Sequence, residues 1–402
     1  HFAGLELAEC DVLRKIMSGK RRHSETFQMY QTKYFNNCKE RGYTPELAEE
    51  VWRQVESFSG YSFCKAHSAA FAVLSFEDLY LKSYYPLEFL TAVVNNFGGF
   101  YRMEVYLHEA KRHGAKVHAP CVNLSDGLAR IERKDIYLGL KFIQGIQREL
   151  VDEIIYQREV FGAFKSFEDF LRRLDIPGTQ LELLIRANAL RFTGLNKYEL
   201  MREKGRLLQP KTEHASTGLL FEDPAENFEM PEVEEGPFDQ AFDELELLKF
   251  PLCSPFDLLN WTYLIEKGFP VPEAYCEQYP IPEKEAEEKE GSVKRFKKTK
   301  KLINVAEMPK YANKMVHMLA YFICRKTTAT KHGERMAFDA WWDIEGDYLN
   351  TVIFPKPMKQ FPYRGIGVYL LYGKVMEEFG VCNLDIHYME KIPYVPDTRF
   401  AQ

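Results

Sequence analysis

A short segment beginning at Gly60 brings together three side chains that could hold a triphosphate. Tyr61, Lys65 and His67 follow a glycine that permits a flexible entry, and small residues from Ser68 onward predict a helix. Lysine supplies a point charge, histidine a hydrogen-bond donor and tyrosine an aromatic face. The same residues also suit an ordinary helix start with surface charges, so their chemistry alone leaves both interpretations open.

Residues 137–159 show a pattern typical of a helix-hairpin-helix. An apolar stretch precedes a turn at residues 145–147, and apolar residues then recur on one face of a second helix. In such a hairpin, N–H groups of the turn and of the second helix bind a DNA phosphate without reading base sequence. The predicted DNA contacts are Lys141, Gln144, Gly145, Ile146, Gln147 and Arg148. Because Gln147 stands where a second glycine is usual, a purely structural helix pair remains the alternative.

A similar unit follows in residues 183–190, before Gly194. Asn188 occupies its turn, and asparagine is second to glycine in tolerating left-handed backbone. We therefore expect a left-handed residue at this position. DNA contact and a structural role both remain open for this second hairpin.

The elements around these sites change character along the chain. Residues 1–115 carry helical periodicity, with Thr44 and Pro45 predicting a capped helix start. Residues 207–240 are acidic and poor in periodicity, which predicts a linker. A second weakly patterned region at 280–301 changes from acidic to basic. From Met315 onward, short runs of β-branched and aromatic residues predict about five strands and a short helix near residues 355–361.

Bulk composition excludes several classes of protein. The 402 residues are 46% hydrophobic and 28% charged, with no apolar run of 18 residues, so a membrane role is not expected. The net charge of -6 is unevenly distributed, and local basic patches matter more for binding nucleic acid. Eight cysteines without a C-x-x-C pair indicate neither a zinc site nor a disulfide framework, which favours a reducing cytoplasm. His1 in place of methionine predicts that the chain is part of a longer protein.

The segment at residues 60–71, together with residues 80–89, resembles the fingers region of the C-family of bacterial replicative DNA polymerases. Residues 11–17 likewise resemble that family's Leu-Arg-Arg motif, with Lys15 in place of the second arginine. Cys64 and Phe71 depart from an asparagine and a tyrosine of the family pattern. The resemblance implies that five residues contact the incoming deoxynucleoside triphosphate, namely Arg14, Lys15, Tyr61, Lys65 and His67.

Residues 315–395 resemble the OB-fold of the same family. The resemblance implies single-stranded DNA binding around the first hairpin, with Lys326, Lys331 and Arg335 as the basic contacts. OB-folds hold single strands by stacking bases on aromatic side chains. Four aromatic residues could do so or could instead form the core, namely Tyr321, Trp341, Trp342 and Phe354.

An apolar island inside the acidic linker resembles a degenerate sliding-clamp peptide of the Gln-x-x-Leu-Phe type. It runs from Thr217, which replaces the glutamine, to Leu219, Leu220 and Phe221. Local packing of this island on its own domain is the alternative.

A polymerase also needs closely spaced carboxylates that hold two magnesium ions. The sequence contains no Asp-x-Asp pair, and Asp343-Ile344-Glu345-Gly346 is predicted to be a turn. In the family, Mg²⁺ is held by a palm domain that precedes the fingers, so no metal site is predicted in this chain and the chain alone is expected to be inactive.

The predicted fold class is multidomain α + β, with helical fingers and a helix-hairpin-helix domain followed by a small all-β OB-fold barrel. The predicted domains are fingers (1–135), tandem hairpins (136–206), linker (207–240), helical connector (241–312) and OB-fold (313–402). The resemblance implies a DNA-directed DNA polymerase whose partners are primer–template DNA, single-stranded template, deoxynucleoside triphosphates, the sliding clamp and other replicase subunits. The alternative is a non-catalytic replication or repair accessory protein built from hairpin and OB modules.

Overall fold

The computed structural model describes residues 2–18, 25–57, 65–96, 99–208, 235–272, 275 and 300–399. The chain divides into two compact units, His1–Tyr85 and Pro86–Gln402. Within the described residues, no helix is both long enough and apolar enough to cross a bilayer.

The first unit is helical. It contains α1 (Leu7–Ser18), α2 (Glu25–Glu40), α3 (Pro45–Ser57) and α4 (Lys65–Tyr84). The predicted start of α3 is confirmed, because the Thr44 hydroxyl accepts a hydrogen bond from the Leu47 N–H at 3.4 Å and Pro45 occupies the first turn. Tyr34 and Trp52 are buried between α2 and α3, and the Tyr34 hydroxyl donates to the Ala48 carbonyl at 3.1 Å. This apolar contact fixes the angle between the two helices.

The second unit begins with a mixed layer of helices and a small sheet. Its helices are α5 (Pro86–Asn95), α6 (Met103–Arg112), α7 (Arg148–Phe161), α8 (Phe167–Arg173), α9 (Gly178–Arg186), α10 (Lys197–Leu208) and α11 (Asp239–Leu247). Strands β1 (Lys116–His118), β2 (Arg130–Glu132) and β3 (Asp135–Tyr137) form a sheet with β3 in the centre.

One hydrophobic core joins residues 87–250 of this unit. Leu90 and Leu107 from α5 and α6 share it with Ile154 and Leu184 from α7 and α9 and with Leu247 from α11. The expected boundary between residues 135 and 136 therefore lies inside a single core and does not separate two cores. Residues 86–135 support the hairpins, because Leu90 and Leu107 pack in the same core as α7 and α9.

The C-terminal part of the unit is a closed β-barrel, as the sequence predicts. Short helix α12 (Trp261–Glu266) precedes strands β4 (Met315–Ala329), β5 (Arg335–Asp343), β6 (Tyr348–Ile353), β7 (Val368–Glu378) and β8 (Val381–Lys391). The strand order is β4-β5-β6-β8-β7, with only the β6–β8 pair parallel. Helix α13 (Pro355–Gln360) confirms the predicted short helix after the third strand. Trp341 fills the interior, where its indole N–H donates to the Thr351 hydroxyl at 2.9 Å.

Helix α6 holds the barrel through polar contacts at a β-bulge. The Arg102 guanidinium donates to the carbonyls of Phe322 and Ile323 at 2.8 and 2.7 Å, where the β4–β5 register shifts. Tyr321 donates to the Glu104 carboxylate at 3.1 Å. Burial raises the pKa of this carboxyl, while Arg102 opposes the shift.

A second set of contacts lies one turn further along α6. The His108 ring stacks on Trp342 with centroids 4.3 Å apart and its Nε2 lies 2.9 Å from the Gly346 carbonyl oxygen. Gly346 has φ +86° and closes the β5–β6 turn, as predicted for the segment after Asp343. The buried Asp343 carboxylate accepts N–H bonds from Glu345 and Asp347, so it shapes a turn.

The backbone at Asn188 generates a stability prediction. Asn188 has φ +57°, which confirms the left-handed residue expected there. Because this conformation costs an ordinary L-residue about 1–2 kcal/mol and glycine almost nothing, Asn188→Ala should lower the free energy of unfolding by about 1 kcal/mol. Urea denaturation followed by circular dichroism measures the change. Asn188→Gly is the matched control, and equal losses in both variants would show that backbone strain is not the cause.

Candidate nucleic-acid interface

The turn of the first hairpin is built around Gly145, whose φ is +81°. A single 3-10 turn at Leu140–Phe142 precedes it, and α7 follows from Arg148. The Gln180 side chain crosses from α9 to this turn, where its Oε1 accepts from the Gln147 N–H at 2.8 Å and its Nε2 donates to the Gly145 carbonyl at 3.1 Å. The turn is therefore held rigidly by the second hairpin.

This support changes which groups can reach a phosphate. The Gln147 N–H is bound by Gln180, and the Gln144 N–H donates to the Leu247 carbonyl at 2.8 Å. Both N–H groups were expected to face DNA, and both are already hydrogen-bonded within the protein. Sequence analysis did not reveal this, because the two acceptors lie 33 and 103 positions away along the chain.

The start of α7 remains available to a phosphate. The first-turn N–H groups of Arg148 and Glu149 have no carbonyl partner in the described residues, as is normal at a helix start. The Arg148 side chain is exposed, and it forms no ion pair with another described residue. By contrast, the predicted contact Lys141 binds Asp152 at 2.8 Å. An exposed guanidinium beside a helix N-terminus can hold a phosphate oxygen, although the Glu149 carboxylate in the same turn opposes it.

The second hairpin uses its cations internally. Arg186 and Lys197 bind the buried Asp243 carboxylate at 2.7 and 2.6 Å. Arg191 donates to the carbonyls of Ala119 and Pro120 at 3.0 and 2.7 Å. The charges of Arg186, Lys197 and Arg191 are therefore already paired within the protein.

The barrel presents its predicted cations to solvent. Lys326, Lys331 and Arg335 are all exposed around the β4–β5 hairpin. Lys326 lies directly opposite Phe338 in the β4–β5 ladder. The three residues therefore form a basic edge beside an exposed aromatic ring.

Three of the four aromatic residues considered for base stacking are core residues. Tyr321, Trp341 and Trp342 are 0–4% exposed, so stacking on a base is the wrong interpretation for them. Successive strand side chains point to opposite faces, and both faces are covered here: Trp341 lies inside the barrel and Trp342 lies under α6. Phe354 is exposed.

Sequence analysis missed Phe338, which is the second exposed aromatic residue of this surface. Phe338 and Val352 form a cross-strand pair on the outer face, while their neighbours Ala337 and Ile353 point inward. We call Lys326, Phe338, Val352 and Phe354 the outer patch. The alternation of small or apolar inward residues with outward residues along β5, starting at Ala337, was the sequence signal that could have located Phe338 on the outer face.

The residues expected at the nucleotide lie in the first unit. Arg14 and Lys15 both bind the Asp11 carboxylate, at 2.7 and 2.8 Å, and these hydrogen bonds lower the pKa of that carboxyl. His67 is exposed on α4 with its ring edge-on to Phe71, centroids 4.4 Å apart. Tyr61 and the side chain of Lys65 lie outside the described residues, so the predicted clustering of these groups is not observed directly.

Two further predictions concern the clamp-type peptide and the metal site. The clamp-type peptide from Thr217 to Phe221 lies outside the described residues. The described ranges contain no group of three or more His, Cys, Asp or Glu side chains that could hold a metal ion.

Comparison with known proteins shows what this chain is similar to. A model described as a helix-hairpin-helix motif matches residues 114–200. The chain is 35% identical over 175 residues to DNA polymerase III subunit alpha of Borreliella burgdorferi, covering 43% of this chain and 15% of that protein. It is 33% identical over 247 residues to the alpha subunit of Thermus aquaticus, covering 59% and 20%. Over the shared region, this chain is similar to DNA polymerase III alpha subunits.

Relatives of two kinds match this chain. An error-prone DNA polymerase of Vibrio vulnificus is 34% identical over 204 residues, covering 49% of this chain and 19% of that protein. Because the identities of the two kinds are nearly equal, they favour neither kind over the other. The chain spans 15–20% of the length of the curated relatives it matches.

Arg148 provides a direct test of the hairpin site. Arg148→Ala should weaken binding to duplex DNA about fivefold and should reduce the slope of log affinity against log salt by about 1, because one phosphate contact is lost. Fluorescence anisotropy at several salt concentrations measures both quantities. Arg172→Ala is the matched control, since Arg172 is an exposed cation bound to Asp169 on α8 of the same unit. An equal effect in both variants would indicate a loss of general positive charge and no local site.

Proposed function

We propose that this chain is the DNA-gripping part of a DNA-directed DNA polymerase. The observation that carries the proposal is the start of α7, where the helix N-terminus and the exposed Arg148 side chain lie together inside the segment that matches the family's hairpin motif. A contact of this kind holds the phosphate backbone in register and reads no bases, which suits an enzyme that copies any sequence.

The barrel contributes the grip on single-stranded template. The outer patch combines two exposed aromatic rings with Lys326, and Lys331 and Arg335 lie at the adjacent hairpin. Aromatic rings stack on bases of any identity, while the cations follow the backbone. This pairing supports sequence-independent binding of an unpaired strand.

The first unit contacts the incoming nucleotide in this proposal. Asp11 holds Arg14 and Lys15 on one side of α1, which limits their freedom before a ligand arrives. A triphosphate carries more negative charge than one carboxylate and would compete for both cations. Tyr61, Lys65 and His67 complete the proposed contact set on the strength of the family pattern alone.

Other functions of the whole polymerase are extensions of the same proposal. Mg²⁺ would be held by a palm domain elsewhere in the protein, since the described residues do not fit it. The peptide from Thr217 to Phe221 would bind the sliding clamp, and further replicase subunits would assemble in the cytoplasm around the same enzyme.

The first test uses the chain as it stands. It should bind primed DNA with an affinity that falls steeply with salt, because phosphate contacts release counterions, and it should incorporate no nucleotide in the presence of Mg²⁺. Anisotropy and primer extension measure the two properties. Primer extension by the purified chain would contradict the assignment of the metal site to another domain, and absence of DNA binding would contradict the grip.

The second test concerns Lys65 in the full-length polymerase. Lys65→Ala should lower the efficiency of nucleotide incorporation about 10- to 150-fold, which corresponds to the loss of one charged phosphate contact of about 1.5–3 kcal/mol. Single-turnover kinetics measure this ratio, with DNA affinity expected to change little. His67→Ala should act in the same direction, and the double variant should lose less than the sum if both residues touch one triphosphate. Weaker DNA binding with unchanged nucleotide kinetics would instead make Lys65 a duplex contact, and would favour an accessory DNA-binding role for this unit.

A further inference from the structure

A cavity of about 320 Å³ lies on the barrel beside the loop that joins α13 to β7. Its walls include Gln360 and Phe361 at the end of α13, Arg364 in the loop, and Glu390 and Lys391 at the end of β8. None of the described residues that line it belongs to the outer patch or to the basic edge. The cavity is therefore separate from the surfaces assigned to DNA above.

The Tyr369 hydroxyl fixes the loop that carries Arg364. It accepts a hydrogen bond from the Arg364 N–H at 2.9 Å and donates to the Gly365 carbonyl at 2.7 Å. Tyr369 belongs to the barrel core, so both bonds are formed at the end of a buried ring. The Arg364 backbone is therefore anchored to the barrel, although the residue itself is exposed.

The same loop leaves space for the Lys391 side chain. A Cβ on Gly367 would lie 2.6 Å from the Lys391 Cε, which is closer than real carbon contacts, and Gly367 has φ +148°. The Lys391 ammonium donates to the Arg364 carbonyl at 3.3 Å. Glycine at position 367 thus lets the lysine stem pass against the backbone, which brings the ammonium to the loop that carries Arg364.

The carboxylate of the cavity, Glu390, is already satisfied by other partners. It binds the Lys267 ammonium at 2.5 Å and accepts hydrogen bonds from the Tyr263 and Tyr388 hydroxyls at 2.5 and 2.6 Å. Lysine and the two hydroxyls together hold the pKa of this carboxyl below its usual value. The negative charge of Glu390 is therefore balanced by Lys267 and does not compensate the other cations of the cavity.

Those other cations are Arg364 and Lys391, and neither forms an ion pair with a described residue. Burial lowers the pKa of the Lys391 amine, as expected where no carboxylate offsets the loss of hydration. Two positive charges thus remain uncompensated at one cavity, on side chains that the loop holds in place.

These charges favour a phosphate-bearing anion. A guanidinium and an ammonium both donate hydrogen bonds to phosphate oxygens, and the Gln360 amide at the same wall can donate as well. Because Arg364 and Lys391 have no carboxylate partner, an anion can bind them without breaking an ion pair. A phosphate of the DNA backbone carries one charge and a sugar on each side. Pyrophosphate presents more charge in a compact shape that a cavity of this size admits.

We propose that the cavity at Arg364 and Lys391 binds a compact multivalent phosphate of the pyrophosphate class. Arg364 and Lys391 supply the charge, and Gln360 supplies a neutral donor. The inference goes beyond the proposed DNA-binding function and does not depend on it.

The cavity is tested by titrating the full chain with pyrophosphate in a calorimeter. Arg364→Gln and Lys391→Met should each weaken pyrophosphate binding about 10- to 150-fold, the range produced by losing one hydrogen bond to a charged group. Lys391→Met keeps an apolar stem against Gly367 and removes a partly buried charge, so its melting temperature should stay the same or rise. Lys356→Gln is the matched control, because Lys356 is an exposed cation on α13 that does not line the cavity. Its affinity for pyrophosphate should equal that of the unchanged chain.

The source of the phosphate is tested with an oligothymidylate that carries no terminal phosphate. The pyrophosphate titration is repeated in an excess of this oligonucleotide, at constant ionic strength because screening alone changes the affinity of an exposed site. The affinity for pyrophosphate should stay the same, since the cavity takes the free anion and no backbone phosphate.

Three outcomes overturn the inference. The first is that the unchanged chain binds no pyrophosphate, or binds it no better than Arg364→Gln and Lys391→Met do. The second is that Lys356→Gln loses as much affinity as those two variants, which would indicate general positive charge and no local site. The third is displacement of pyrophosphate by the oligothymidylate, which would make the cavity a contact to the DNA backbone. Failure of the proposed function is distinguished from all three, because it would appear as absence of DNA binding by the unchanged chain.

Discussion

A single buried carboxylate joins three distant parts of the second unit. Asp243 on α11 is 1% exposed and receives Arg186 from α9, Lys197 from α10 and Arg399 from the C-terminal segment. A buried carboxylate is stable only if it is paired, and removal of one partner from such a group is strongly destabilising. The second hairpin, α11 and the segment after the barrel must therefore be in place together. The cations that this hairpin could have offered to DNA are used to satisfy that constraint.

The hairpin turn depends on the arrangement that Asp243 maintains. Helix α9 carries both Arg186, which binds Asp243, and Gln180, which fixes the turn before α7. The position of the α7 N-terminus is thus set by a helix of the second hairpin. One hairpin supports the turn of the other, although the two have similar sequence patterns.

Local signals in the sequence were sufficient to predict helices, strands and turns. They were insufficient to predict which distant residues contact one another. The capped start of α3, the left-handed Asn188, the five strands and the turn after Asp343 follow from residue preferences within a few positions. The occupied N–H of Gln147 and the burial of Trp342 under α6 depend on residues 33 and more than 200 positions away. Preferences of neighbouring residues contain no information about such partners. In the candidate site, the sequence supplied residue types that suit DNA, but it did not show that the Lys141 side chain and the Gln147 N–H are already paired within the protein.

Helix α6 belongs to two cores at once. Leu107 and Ala110 pack in the core of the hairpins, while Val105 packs against the outer face of the barrel, and Arg102 is bonded to the bulge in β4. A force applied to the barrel would be transmitted through this helix to the hairpin core. Amide hydrogens of α6 would then exchange only when both cores open, so the hairpin core and the barrel would behave mechanically as one body.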